Sequence, residues 1–388
     1  MNSTVMSTNE NDISDEVNKT ISIINFIFVV FGTVGNLFTF CILMRKNLRK
    51  IYSYTRYLSA LCIIDIVCLY NWNFTYIYQD IFSSDKMRLE FYSPLSCRLF
   101  SYNAYSSLQL SSWIICVIGM DRIILLIKMK KSKIKNPNNS IDTRKSTFEW
   151  FYKINPFQST VLVLIVVSVI IYATNLFVLI NNGELHASKN HTYLNKTSTL
   201  TFKCYAPEKF FKIWRIVHVL LYSLIPFCII LAQNFIIAVL TLNHSKRMKR
   251  YVQRQASTEI STHETPKLRF LKLFRLKSNS TTEISGSMRN KICAQQQTSK
   301  QTFVKNLLIF LTLSFFFTTL PSSMIYTTSL NDTFYKTNTG SILKRCLQSI
   351  QYTRHAANFL IYISTSTIIQ NEIRKCFIEF ENFLFKRK

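Results

Sequence analysis

The chain has 388 residues, 47 Lys and Arg against 20 Asp and Glu, a net charge of +27, 48% hydrophobic residues and a mean hydropathy of +0.13. Its apolar residues gather in long uninterrupted blocks, which excludes an ordinary soluble domain. The charge excess falls at the ends of those blocks, where an anionic inner leaflet accounts for it and nucleic acid does not. Residues 1–20 come first, polar and lacking the basic start and apolar core of a cleavable signal. They form an expected extracellular N-terminal segment, and the first block inserts as its own signal. Seven apolar blocks follow, at 21–44, 57–79, 98–120, 157–180, 213–241, 306–330 and 346–369. Each reaches the about 20 residues that a helix needs to cross the hydrocarbon core. Lipid offers no partner for a backbone N–H or C=O, so each block is expected to be a helix. The expected fold is an all-α seven-transmembrane helix bundle over 21–369, with a cytoplasmic amphipathic helix and tail over 370–388.

Between the blocks, Lys and Arg concentrate in 45–56, 122–153, 246–305 and 374–388, with Arg45, Lys46, Arg49, Lys50 and Arg56 in the shortest of these. Basic loops stay in the cytoplasm, so the N-terminus is expected outside and the C-terminus inside. The inner segment 243–305 is long, basic and rich in Ser and Thr. The last block is followed by Ile369, Ile373, Phe377, Phe380 and Leu384, which recur at three-to-four spacing with charges between them. Cys97 opens the third block from outside and Cys204 lies in the loop before the fifth, so this pair is the expected disulfide, tying 181–212 to the bundle. Cys376 is juxtamembrane, either a palmitoylation site or an unmodified thiol. The sequons at Asn2, Asn18, Asn190, Asn195 and Asn331 fall on the expected outside as candidate glycosylation sites.

Shorter motifs sit within this frame. "GN" at Gly35–Asn36 lies in the first block, and "LSALCIID" puts Asp65 in the second. "MDRI" puts Asp121 and Arg122 at the inner end of the third, 25 residues after Cys97. Pro226 lies in the fifth, "FFFTTLP" gives Phe315 and Pro321 in the sixth, and "NFLIY" gives Asn358 and Tyr362 in the seventh. Their joint placement over residues 20 to 385 resembles the rhodopsin-like (class A) G protein-coupled receptors. "NFLIY", with Phe359 where that family usually has Pro, is similar to the variant of invertebrate FMRFamide-type neuropeptide receptors.

The resemblance implies that Asp121 restrains Arg122 in the off state. Arg122 is then released to pack against Tyr362 and a heterotrimeric G protein, with Pro226 and Pro321 as pivots and Phe315 carrying the packing change. It also implies that Asp65, Ser111 and Asn358 form a pocket that in the family holds a sodium ion, within a polar core that includes Asn36 and Arg354. Here Arg354 has two readings: it supplies that positive charge itself, directly or through water, or it points up into a wet ligand cavity. His355 reads as a packing residue. The sequence departs from the family at Ile123 for Tyr, at Thr319 for Trp, and at Gln301 and Lys305 for an acid. No acid stands at Ala104, against monoamines, and no Lys in 347–356, against retinal. Tyr76, Asp80, Tyr105, Gln109, Ser322, Tyr326, Gln348 and Tyr352 would form a hydrogen-bonding aromatic wall for the end of a peptide. The implied partners are an extracellular neuropeptide, a G protein and membrane lipid at the plasma membrane, with kinases and arrestin acting on 243–305. A chemosensory or ligand-orphaned seven-helix receptor is the alternative. A transporter would show inverted repeats, and the sequence has none. No residues stand at metal or triad spacing, so neither an enzyme nor a cofactor is expected.

Overall fold

The computed structural model describes residues 2–46, 48, 54–82, 90, 92–132, 156–189, 198–204, 208–261, 306–325 and 337–385. Its helices are α1 (Asn2–Leu43), α2 (Tyr54–Tyr70), α3 (Trp72–Phe82), α4 (Pro94–Ser132), α5 (Pro156–Thr174), α6 (Leu176–Asn181), α7 (Glu208–Val219), α8 (Ile225–Ser261), α9 (Asn306–Ile325), α10 (Asn338–Thr365) and α11 (Thr367–Phe385). Six helical stretches are long and apolar enough to cross a membrane, as in a multi-pass membrane protein. They are Ser14–Leu43, Tyr54–Ile81, Pro94–Ile127, Ser159–Asn181, Lys209–Asn243 and Asn306–Ile325. α10 is as long as these but more polar, carrying Lys344, Arg345 and Arg354, and it packs against α1 and α2.

Two boundaries differ from the sequence reading. α1 starts at Asn2, so the 1–20 segment is continuous with the first helix; no Pro or Gly precedes Gly32 to stop it. α8 runs on to Ser261, well past the expected start of the inner loop at 243, again with no Gly or Pro after Pro226 to end it. Residues 262–305 lie outside the described residues.

The described residues are almost all helical, with one strand pair that the sequence reading did not expect. The 181–212 loop holds an antiparallel hairpin, β1 (Glu184–Lys189) against β2 (Ser198–Lys203), with Glu184 opposite Lys203 and Lys189 opposite Ser198. The alternation Thr199, Leu200, Thr201, Phe202 is the strand signal that the reading passed over. The chain enters the hairpin through Gly183 at φ 79°, a left-handed conformation that only glycine adopts without strain. A Cβ there would also meet the Pro94 carbonyl oxygen at 2.8 Å.

The long helices are interrupted where side chains or proline disturb the backbone ladder. Between α2 and α3, Asn71 donates to Ser107 Oγ (2.7 Å) and accepts from Asn103 (3.2 Å). Between α5 and α6, Asn175 donates to Gln109 Oε1 at 2.7 Å and to the Ile171 carbonyl at 2.8 Å. Between α7 and α8 the chain makes a π turn over Leu220–Leu224, immediately before Pro226. In an i→i+5 pattern Pro226 would serve the Leu221 carbonyl, but proline has no N–H. The Trp113 indole supplies that bond instead, Nε1 to Leu221 O at 3.0 Å.

Lipid removes the usual hydrophobic drive between helices, so close packing and interhelical hydrogen bonds hold the bundle. Leu43, Leu58, Leu61, Ile115, Leu307 and Tyr362 meet in its principal core. On α5 the apolar residues Ile165, Val169 and Ile170 face outward, where lipid would cover them. α1 and α10 approach closely at Gly35, where a Cβ would run into the Phe359 ring, and Phe359 packs edge-on against Phe31 at 5.0 Å.

α10 ends at Ser366, whose backbone is extended (φ −115°, ψ 102°) and whose Oγ accepts the Ile369 N–H at 3.1 Å, capping α11. Ile369 is buried against the bundle while Phe377 and Phe380 stay exposed, so the expected apolar face is divided. Arg45, at the end of α1, fixes α11 by ion pairs to Glu372 (3.7 Å) and Glu379 (2.8 Å).

Candidate functional site: a buried polar core and a neighbouring cavity

Asp65 lies mid-way along α2, where the backbone satisfies itself and the carboxylate must find donors on other helices. Three reach it. Ser111 Oγ on α4 donates to Oδ1 at 3.1 Å, His355 Nδ1 on α10 lies 2.7 Å from Oδ1, and Asn358 Nδ2 donates to Oδ2 at 2.7 Å. Asn36 on α1 adds a fourth helix, its Nδ2 donating to the His355 carbonyl at 2.9 Å. All five residues are fully buried. The expected polar core of Asn36, Asp65, Ser111 and Asn358 is thus brought together.

Arg354 joins it indirectly. Its Nη2 donates to Ser111 Oγ at 3.2 Å and lies 3.3 Å from His355 Nε2. The two hydrogens of Nη2 satisfy both contacts, provided that His355 carries its proton on Nδ1, toward Asp65. Arg354 therefore answers the Asp65 carboxylate through a hydroxyl and an imidazole. The sequence reading of His355 as a packing residue needs correction: it holds the carboxylate directly. Two further features mark Arg354. It is 1% exposed, yet its Nε and Nη1 have no hydrogen-bond partner among the described residues. Its guanidinium carbon sits 5.0 Å from the Phe315 ring centre and 5.9 Å from that of Tyr222.

Toward the end of the bundle that carries Cys97 lies a cavity of about 50 Å³ whose walls include Tyr105, His218, Tyr222, Ser322, Gln351 and Tyr352. Of the expected ligand wall, Tyr105, Ser322, Gln348 and Tyr352 line it. Tyr76 lines a smaller neighbouring cleft with Gln348 and Tyr352. Two expected members lie elsewhere. Asp80 is held by an ion pair to Arg345 and by Ser22 Oγ at 2.6 Å. Gln109 is buried between Asn175 and His218, its Nε2 3.1 Å from His218 Nδ1. Tyr326 lies outside the described residues. The reading missed His218, Tyr222 and Gln351. Spacing could have found Gln351 and Tyr222, one turn from Arg354 and from Pro226. Among these lining residues, Ser322 donates to Gln351 Oε1 (2.5 Å) and Gln351 Nε2 donates to Tyr222 Oη (2.8 Å). This polar brace ties α9 to α10 and to the π turn.

The remaining expected sites are distributed along the bundle. Cys97 and Cys204 form the disulfide, which fastens the hairpin to the N-terminal end of α4. Arg122 is buried with its guanidinium 3.9 Å from the Tyr54 ring centre, and Asp121 beside it is half-buried. Tyr362 is fully buried in the core, and Phe315, equally buried, stacks on Phe227 with ring centres 6.5 Å apart. Pro226 is buried after the π turn, while Pro321 is half-buried in α9. Cys376 is half-buried, its sulfur accepting from Arg45 Nη1 at 2.6 Å. Of the sequons, Asn18 lies half-buried on α1, Asn2 begins α1 with its side chain outside the described set, and Asn190, Asn195 and Asn331 are outside the described residues. No group of His, Cys, Asp and Glu suited to a metal ion occurs among the described residues. No protein-family model matches the chain, and no curated protein is significantly similar to it.

Proposed function

We propose that this chain is a rhodopsin-like G protein-coupled receptor. In this reading α10 is the seventh membrane-crossing helix and α11 lies along the inner leaflet. The N-terminus is extracellular, and the protein works at the plasma membrane. A neuropeptide enters the outer cavity, and a heterotrimeric G protein engages the inner ends of α4, α8 and α9 near Arg122. The observation that carries the reading is the Asp65 core. A carboxylate deep among apolar helices is costly and is retained where it does work, and this one links α1, α2, α4 and α10 through Asn36, Ser111, His355 and Asn358. The π turn at Pro226 supports it, because a local break gives the inner part of α8 a place to pivot. The test is a calcium or cAMP response in cells expressing the chain and challenged with neuropeptides. A response that Arg122→Ala abolishes at unchanged surface expression supports the reading. A response that survives Arg122→Ala, or silence to every peptide tried, sinks it.

A further inference from the structure

We propose that Gln233, seated on Gly119, and Asn234, bound to Thr312, form a latch that holds the part of α8 beyond the π turn against α4 and α9. Its effect on signalling rests on the proposed receptor reading, whereas its effect on the position of α8 does not.

The latch begins with a gap in α4. Gly119 is buried in the interior of that helix, where glycine is a weaker helix former than any residue but proline. A Cβ there would run into Gln233 Oε1 and lie 2.7 Å from Gln233 Cδ, so the missing side chain is what admits the amide. Gln233 is 4% exposed, and its Nε2 donates to the Cys116 carbonyl at 2.9 Å. A carbonyl only accepts, which sets the orientation of the amide: turned over, Oε1 would face another oxygen. Oε1 is thereby left against Gly119 with no hydrogen-bond partner among the described residues. Buried acceptors normally have donors. One bond and close packing hold the amide in its seat, one unmet acceptor opposes them, and a seat so balanced can be left.

Asn234 grips the other side. Neighbours on a helix stand about 100° apart, so Gln233 and Asn234 face different helices. Asn234 Nδ2 donates to Thr312 Oγ1 on α9, and Thr312 gives its own hydroxyl proton to the Leu308 carbonyl at 2.7 Å. Thr312 thus accepts once and donates once, and both bonds run in allowed directions.

Position makes these two grips a latch. The π turn and Pro226 interrupt the backbone ladder, so α8 bends there more easily than elsewhere. That end is itself fastened to α4, by the Trp113 indole on Leu221 O and by Cys116 Sγ, 3.7 Å from Pro226 O. Gln233 and Asn234 lie about 10 Å further along the helix. Side chains at that distance from a bend decide which way the rest of the helix points.

The test uses the full chain in lipid nanodiscs, with 4-trifluoromethylphenylalanine in place of Phe235, which is 72% exposed and adjoins Asn234. Fluorine NMR reads the position of α8 as the proportions of its resonances. Gln233→Ala, Asn234→Ala and Gly119→Ala, which keeps Gln233 but closes its seat, should each raise the share of a second resonance about fivefold, the worth of one hydrogen bond. Gly119→Ala added to Gln233→Ala should change nothing further, because no amide remains to be displaced. If Gly119→Ala does not fold, Gln233→Ala and Asn234→Ala decide the matter. Spectra unchanged by those two substitutions, or additive effects of Gly119→Ala and Gln233→Ala, overturn the proposal. G-protein nucleotide exchange without peptide is read on the same samples. A second resonance without exchange refutes the receptor reading alone, whereas peptide-driven exchange with spectra that all three substitutions leave unchanged refutes only the latch.

Discussion

At the scale of single residues, the Asp65 network governs what a substitution costs. Asp65→Ala leaves Arg354 buried with no counter-charge, and breaking a buried pair from one side costs about 3–5 kcal/mol. The expected outcome is a large fall in the thermal midpoint in nanodiscs. Arg354→Met in the same chain should recover part of it, and strict additivity of the two changes would show that the charges are not coupled. The internal counter-charge also bears on cations. Replacing sodium by choline should change neither the thermal midpoint nor ligand affinity in the wild type, whereas Arg354→Ala should acquire a sodium dependence. A sodium-sensitive wild type would refute the idea that Arg354 neutralises Asp65. The sequence made Arg354 and Asp65 visible as charges inside apolar blocks. It did not make His355 visible, because Arg354 and His355 are neighbours about 100° apart around the helix. Which of them meets Asp65 depends on a rotation of α10 that only packing decides.

At the scale of elements, the interruptions are the informative parts. Pro226 announced a disturbance in its helix, yet its form, a π turn whose Leu221 carbonyl is served by the Trp113 indole, depends on a partner about 110 residues away, as the 108-residue separation of that bond shows. Trp113→Phe keeps the ring and removes the donor. It should cost about 1 kcal/mol, the net worth of one partly buried hydrogen bond, measured as a lowered thermal midpoint. An unchanged midpoint would mean that the Leu221 carbonyl finds another donor. The breaks at Asn71 and Asn175 were not legible, since each Asn acts through a residue on α4, Ser107 or Gln109, that local pattern does not reveal. The hairpin escaped notice for another reason. Its strands are six residues each, too short to stand out beside helices several times their length.

For the molecule as a whole, one disulfide fastens the hairpin to the helices. The Cys97–Cys204 disulfide closes a loop with a sequence separation of 107 residues, for which chain entropy gives about 4–5 kcal/mol. Reduction should therefore lower the thermal midpoint and expose the 181–212 segment to protease, while Cys376→Ser should do neither. Equal protease resistance with and without reductant would show that β1 and β2 hold themselves in place. Six apolar stretches were legible along the chain because lipid allows few ways to satisfy a backbone, and those ways leave long runs in the sequence. The cavity was half legible. Tyr105, Ser322, Gln348 and Tyr352 follow from helix depth, but His218 lies across the π turn from Pro226, which resets the phase that the proline would give it.

The polarity of α10 has a consequence for how the chain is made. On the proposed reading of α10 as a membrane-crossing helix, Arg354 alone costs about 3 kcal/mol at the bilayer centre, so this helix inserts poorly by itself. It becomes acceptable to the membrane once α1 and α2 are already there to receive it, with Asp65 and Asn36 in place to meet its charge and its backbone. Early helices thus act as a template for the last long one. A defect at Asp65 would then appear during synthesis, as an α10 left outside the membrane and delivered to quality control, before any finished protein could be faulted.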